Sequence, residues 1–386
     1  MPTAHAKTKV VKPRRNILVF QGGGALGAYQ AGVFEASLEA GYEPDWVVGT
    51  SIGAINAVLI AGNPPGRRLA RVREFWARMA HHAVGGTPFL GNGPGDADAI
   101  LENALRSAVT MTFGLQGFFK PRFGSGFPLN LPTAPEVASF YDVTPLRKTL
   151  EELVDFDYLA QSPVRLSVGA VDVESAELTY FDSKFQPITV DHILASGALP
   201  PAFPPAHIGG RYYWDGGIYS NTPLEWILHD QPRTHSLCLF ATLWPIGDTA
   251  PDTLRDVLRR SKEIQFASRA EALIEMEQEL HKLRHAVNLL AGALAEHVPD
   301  SPLLDLACLG CGSVFHVVHL EVPRLPGEDQ SKDLEFDGDR VAKRWKAGLE
   351  DARRAFVAKP WDAPIPPTSG VVVHDFTRHG AAITPA

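Results

Sequence analysis

The chain has 386 residues, of which 45% are hydrophobic and 21% charged; 44 acidic against 36 basic side chains give a net charge of −8. These values match an ordinary globular protein and exclude a mostly disordered chain or a multi-span membrane protein. The acidic surplus leaves no basic reserve for a general nucleic-acid binder, and three cysteines cannot build a disulfide framework, which predicts a reducing compartment. At about 150 residues per domain, the length fits two or three domains, or one large α/β domain with additions.

Residues 1–15 carry Lys7, Lys9, Lys12, Arg14 and Arg15 and no acid. They read as a basic, flexible arm rather than a signal peptide, because Ile17-Leu18-Val19-Phe20 leads into glycines and not into a cleavage site. Ile17–Phe20 is a continuous apolar run, as expected of a buried parallel strand. The turn Gln21-Gly22-Gly23-Gly24-Ala25-Leu26-Gly27 follows. A helix is predicted over Ala28–Ala40, stopped by Gly41. Trp46-Val47-Val48 reads as a second strand and Ile52–Ala61 as a second helix, ended by Gly62. The stretch from Trp46 to Gly62 is interrupted by Gly49, Thr50, Ser51 and Asn56 and falls short of the roughly 20 apolar residues of a membrane span. A β-turn-α-β-turn-α order within 50 residues predicts an α/β sheet.

Residues 85–135 are rich in Gly, Pro and Phe, including Phe113, Phe118, Phe119, Phe123 and Phe127. They read as a lid-like insertion, helical only over Ala99–Thr112. Regular structure resumes with a helix over Thr144–Leu153 and a hairpin of Arg165–Val173 with Leu178–Phe181. A short helix over Asp191–Ala198 runs into a proline-rich stretch, and Arg211–Trp214 is a strand ending in Asp215-Gly216-Gly217. Ser236–Thr242 is another strand. From Thr253 to Glu296 one long helix is predicted, with a heptad seam of Leu273, Met276, Leu280, Leu283, Val287, Leu290 and Leu294. That seam fits either packing on the body or a homodimer contact through residues 253–296. Val314–Val322 reads as a strand and Arg340–Phe356 as a helix with Trp345, Leu349, Ala352 and Phe356 on one face. Residues 361–386 read as a tail.

Gly49-Thr50-Ser51-Ile52-Gly53 is a G-x-S-x-G sequence between a strand and a helix, the context that gives this motif meaning. A nucleophile on so sharp a turn has crowded neighbours, and Gly49 and Gly53 relieve the crowding. The Ser51 hydroxyl then stands at a helix N-terminus, where the dipole favours developing negative charge. Gly22 to Gly27 also satisfies G-x-G-x-x-G, the dinucleotide fingerprint. That reading needs an acid at the end of the second strand; here the strand ends in Gly49-Thr50-Ser51, and Glu43 and Asp45 precede it. The alternative use of such a turn is an oxyanion hole, with backbone N–H groups of Gly23 and Gly24 aimed at a reacting carbonyl. Asp215, loosely flanked by Gly216 and Gly217, is the candidate base.

In that order the three motifs resemble the patatin-like phospholipases. Supporting matches are Asp142-Val143-Thr144-Pro145-Leu146, Ala195-Ser196-Gly197-Ala198-Leu199-Pro200 with Phe203-Pro204, and Ile218-Tyr219-Ser220-Asn221-Thr222-Pro223. The likeness spans residues 16–245. It implies a three-layer α/β/α sandwich around a mostly parallel sheet, with Ser51 as nucleophile, Asp215 as base, Gly22, Gly23, Gly24 and Gly27 in the oxyanion loop, and Gly49, Gly53, Gly216 and Gly217 as motif glycines. No catalytic His, cofactor or metal is implied. Two departures stand out: Leu26 where the family often carries Arg or Lys, and Ile52 where a small residue is common. Residues 250–360 form an expected helical C-terminal extension.

The resulting expectation is a serine acyl-ester hydrolase acting on a lipid or other acyl ester, cytoplasmic and in transient contact with membrane or lipid surfaces. Two rivals remain. One is a catalytically silent fold that binds lipid or protein. The other is an α/β-hydrolase with a Ser-Asp-His triad, for which His316, His319, His374 or His379 would be needed; His316 and His319 sit in an apolar strand and read as structural. Cys308-Leu309-Gly310-Cys311 lacks a second pair at zinc spacing and reads as two small buried residues. His81-His82 reads as exposed.

Overall fold

The computed structural model describes residues 10–80, 108–122, 132–267 and 270–377. The N-terminal third holds β1 (Arg15–Phe20), α1 (Ala28–Glu39), β2 (Trp46–Thr50), α2 (Ile52–Ala61) and α3 (Pro65–Met79). Then come the short strands β3 (Lys120–Pro121) and β4 (Tyr141–Asp142), helices α4 (Thr144–Leu153) and α5 (Phe156–Leu159), the β5 (Arg165–Asp172) and β6 (Leu178–Asp182) hairpin, and α6 (Val190–Ser196). A second hairpin, β7 (Ala206–Ile208) and β8 (Arg211–Asp215), precedes α7 (Leu224–Leu228) and β9 (Ser236–Thr242). The chain finishes with α8 (Leu254–Phe266), α9 (Ala270–His297), β10 (Phe315–Glu321), α10 (Gly338–Ala358) and β11 (Val371–Asp375).

The main sheet runs β11-β10-β9-β1-β2-β5-β8-β7, with β6 on β5. The six strands from β11 to β5 are parallel, and β6, β7 and β8 are antiparallel. Alternate side chains feed two cores, as the two-residue period of a strand requires. Leu18, Phe20, Val47, Leu239 and Val318 face one cluster together with α1, α2, α3 and α10. Ile17, Val19, Val48, Phe240 and Val317 face the other, together with α7 and Ile274 of α9. Helices thus cover both faces, as a parallel sheet demands, and the architecture is the expected α/β/α sandwich.

The C-terminal region is no separate body. β10 pairs directly with β9, and β11 with β10, so the 361–386 segment expected as a tail contributes an edge strand. Without that pairing, the backbone groups along β9 and β10 would be orphaned in a buried setting. α10 lies on α1 at close range: a Cβ at Gly32 would strike the Trp345 carbonyl, and one at Gly348 the Tyr29 backbone.

The long helix predicted over 253–296 is two helices. Ala267 leaves helical geometry (φ −55, ψ 127), and the carbonyl of Phe266 accepts a hydrogen bond from Asn221 Nδ2 at 3.3 Å. No Gly or Pro marks the break, because a tertiary contact makes it. The heptad seam is not the buried face of α9 either: Met276, Leu283 and Leu290 are exposed, and Ile274, Glu277, His281 and His285 are buried. In the insertion, residues 108–113 are helical; most of the predicted 99–112 helix, Phe123, Phe127, His81 and His82 lie outside the described residues. No helix among the described residues is long and apolar enough to cross a membrane.

The α1–α10 contact makes a prediction. Gly348→Ala inserts a methyl against backbone and should cost about 1–3 kcal/mol or more. Gly292→Ala on α9, where nothing lies within 4 Å of the new Cβ, should be neutral or slightly stabilising. Urea unfolding of both variants checks the contrast.

Candidate active site

Ser51 bridges β2 and α2 at φ 58, ψ −123, in a region that costs a non-glycine residue on the order of 1–3 kcal/mol. The surroundings hold it there. Its N–H donates to both the carbonyl and the hydroxyl oxygen of Ser196 at 3.1 Å, and the Ser196 hydroxyl donates to the Gly169 carbonyl at 2.6 Å. Gly49 and Gly53 touch each other across the turn, and any Cβ at Gly53 would collide with the Phe20 carbonyl. The two glycines are therefore steric requirements of the elbow, as the motif predicts.

Strand register explains how Asp215 reaches this turn from 164 residues away. Thr50 of β2 is level with Gly169 of β5, and Ala170 of β5 is level with Asp215 of β8. Gly216 then crosses β5 so closely that a Cβ would sit 2.7 Å from the Gly169 carbonyl. The Asp215 carboxylate is 2% exposed. It accepts a hydrogen bond from the Gly217 N–H at 2.7 Å, and Ser51 lines the same cleft beside it. Burial pushes its pKa up to about 6, and the neighbouring Ser51 hydroxyl and Gly217 N–H oppose that rise.

The glycine loop divides into parts with different work. The Gly22 N–H donates to Asn221 Oδ1 at 2.9 Å, while Asn221 Nδ2 and Trp244 Nε1 donate to the Gly22 carbonyl at 3.0 and 2.8 Å. Gly22 is thus a clamped hinge of the oxyanion loop whose own donor is already occupied, which leaves Gly23 and Gly24 as the candidate donors. Gly27 is also a packing position: a Cβ would sit 2.7 Å from Ile52 Cγ1, and its carbonyl accepts from Asn56 Nδ2. The N–H groups of Gly23 and Gly24 have no hydrogen-bond partner among the described residues. Gly24 has φ +53 and lies against the carbonyl of Asp333, so it can only be glycine.

These groups line one cleft of about 100 Å³. Its walls are apolar: Ile52 and Ile55 of α2, Phe118 and Phe119 of the insertion, Phe203, Phe266, and Leu334 and Phe336 from the C-terminal region. Among the described residues no histidine lines it. His316 and His374 bond each other at 3.0 Å on β10 and β11, and His319 bonds Thr242. His379 lies outside the described residues. Among the described residues no group of His, Cys, Asp and Glu could hold a metal ion. Cys308 and Cys311 are free thiols, and Cys308 is exposed rather than buried as expected, because it sits on the outer 3-10 segment after α9. A larger groove of about 440 Å³, between Val10–Arg14 and Ile365–Ser369, lies at the N-terminal ends of the strands, far from Ser51. In parallel sheets ligands bind at the carboxyl ends, which favours the smaller cleft.

Sequence reading missed Ser196, Asn221 and Trp244 as supports. The first two lie in segments already matched to the family, so their fixed distance from Gly197 and Asp215 was the available signal. Nothing in the sequence placed residues 333–336 at the site.

A strained serine on a strand-helix elbow, a buried carboxylate beside it and a glycine loop with open N–H groups thus share one cleft of a mostly parallel α/β sheet. More narrowly, the family model for patatin-like phospholipases matches residues 18–226, and the chain belongs to that family. A second model, described as patatin phospholipase, matches residues 264–368. A patatin-like phospholipase domain-containing protein of Caenorhabditis elegans is 44% identical over 59 residues, 15% of this chain and 5% of that protein. An NTE family protein of Mycobacterium tuberculosis is 27% identical over 207 residues, 53% of this chain and 27% of its own length. The chain therefore spans about a quarter or less of these relatives. Among solved structures, VipD of Legionella pneumophila aligns over 92% of this chain and 69% of its own at 15% identity and a TM-score of 0.40. ExoU of Pseudomonas aeruginosa, solved with SpcU, aligns over 92% and 76% at 16% identity and a TM-score of 0.27.

Asp215 generates a stability prediction. Its folded pKa of about 6 lies above the ordinary value of 3.8, so holding it ionised opposes folding. The cost is absent below pH 4, grows as pH rises, and is complete above about pH 6, with a ceiling of roughly 3 kcal/mol. Asp215→Asn should melt higher than wild type at pH 8, and the gap should close towards pH 4.

Proposed function

We propose that the chain is a serine acyl-ester hydrolase of the lipid acyl hydrolase type. The observation that carries this reading is the convergence of the Ser51 hydroxyl and the buried Asp215 carboxylate in one cleft, beside two open backbone donors. An aspartate of ordinary pKa is a weak base towards a hydroxyl; desolvation makes Asp215 a better one. It takes the proton as Ser51 Oγ attacks the ester carbonyl. The carbonyl oxygen gains negative charge and is stabilised by the N–H groups of Gly23 and Gly24, each such donor contributing about 3 kcal/mol. The proton passes to the leaving alcohol. Asp215 then deprotonates a water that hydrolyses the acyl-enzyme, returning the serine.

Leu26 is buried, so the basic side chain common in the family at that place has no counterpart here. The donors must be held by packing instead, through Asn221 and Trp244 on Gly22. The aromatic cleft and the family membership support a lipid ester as substrate. The exposed Ile218, Tyr219 and Ile264, close to Gly217 and Phe266, support a brief contact with a lipid surface.

A fluorophosphonate probe should label the chain at Ser51, as read by mass mapping. Ser51→Ala should lower kcat/KM on acyl esters by at least about a thousandfold. Activity should rise with pH as Asp215 ionises and level off above about pH 6. Equal inactivity of folded wild type and Ser51→Ala across a panel of acyl esters would sink the reading.

A further inference from the structure

The cleft's far wall does not come from the segment that carries the motifs. Residues 328–337 run from the end of β10 towards α10 and pass over the glycine loop. The Asp333 carbonyl presses on Gly24, and Leu334 and Phe336 line the same cleft as Ser51. Phe336 is 2% exposed. Its ring stacks on Trp76 at 6.3 Å and meets Phe118 at 6.0 Å. One side chain thereby ties the C-terminal region to α3 and to the insertion.

The strap is anchored rather than draped. Lys332, 2% exposed, bonds Glu263 of α8 at 2.7 Å, and Glu263 is also held by Arg259. Lys262 pairs with Asp333 at 2.6 Å. From the other side, the fully buried Arg344 of α10 donates to the carbonyls of Lys332 and Glu335 at 3.0 and 3.1 Å. Buried ion pairs are costly to break because each leaves an uncompensated charge. Such anchoring keeps the wall in one place.

We propose that Leu334 and Phe336 set the acyl-chain specificity of this site, closing the cleft so that it selects a short acyl group. This inference rests on the Ser51 hydrolase reading. A cavity of about 100 Å³ is well below the roughly 300–1,000 Å³ of ordinary small-molecule pockets. A long acyl chain would have to displace Phe336 and its ring partners, whereas a short one fits against Ile52, Leu334 and Phe336. The C-terminal region thereby acquires a role at the site: it supplies the end-stop for the acyl group.

The test is a chain-length series of p-nitrophenyl esters, from acetate to palmitate, on the full chain. Wild type should prefer butyrate-length esters to laurate and palmitate. Phe336→Ala and Leu334→Ala should each raise the laurate-to-butyrate ratio of kcat/KM by about tenfold or more, since a pocket's discrimination per methylene is of that order. Phe336→Trp should move the optimum towards acetate. Phe336→Leu, which keeps the core filled, should give a smaller shift in the direction of Phe336→Ala and serves if the latter does not fold. A wild-type preference for palmitate, or ratios unmoved in folded variants, would overturn the proposal. Absence of fluorophosphonate labelling at Ser51 in wild type would instead overturn the hydrolase reading beneath it.

Discussion

A serine hydroxyl set beside a desolvated carboxylate is the constraint around which the rest of the molecule is arranged. The arrangement brings the end of β2 to the end of β8 across β5. It needs Asp215 to be dry, which raises its pKa to about 6, and it needs Ser51 in backbone geometry that costs free energy. Both requirements oppose stability, and both are met by rigid surroundings. Ser196, Gly169 and Gly217 hold the elbow and the carboxylate by hydrogen bonds to main chain. Such use of stability for preorganisation is the ordinary condition of a functional site.

The absence of a histidine from the cleft among the described residues follows the same logic. A Ser-His-Asp arrangement places an imidazole between nucleophile and carboxylate, where its near-neutral pKa does the proton transfer. Here the carboxylate lies beside the serine in the same cleft; its pKa is raised towards neutrality, and burial is the only agent acting in that direction. The histidines of α9, β10 and β11 lie away from the cleft, and His316, His374 and His281 are pushed down to about 4 by desolvation and are therefore neutral packing groups.

The C-terminal third changes character when seen in three dimensions. Its strands continue the sheet, its last helix rests on α1 at backbone distance, and its strap closes the cleft. Arg259, Lys332 and Arg344 with Glu263, Glu328 and Glu335 form a buried ionic layer. Chemically this is an expensive way to fill space, and apolar residues of similar volume would often stabilise more. Ion pairs are directional where apolar contacts are not, so this layer fixes the position of residues 332–336 over the glycine loop.

What the amino-acid order determined by itself was local and short-ranged: the apolar runs of β1, β2, β9 and β10, the helices after each glycine turn, and the steric signature of Gly49, Ser51 and Gly53. Those features depend on neighbours within a few residues, so they are legible as spacing, and the family motifs that recur at such spacing made Asp215 legible too. Tertiary structure decided the rest. It broke the 253–296 helix at Ala267 through a side chain 46 residues upstream, buried a Glu-His face of α9 instead of its leucine seam, and committed the Gly22 N–H to Asn221. It also brought residues 333–336 to a cleft built around Ser51. Each of these outcomes is set by contacts between segments remote along the chain, whose free energies outweigh local propensity, and pattern within a segment carries no record of them.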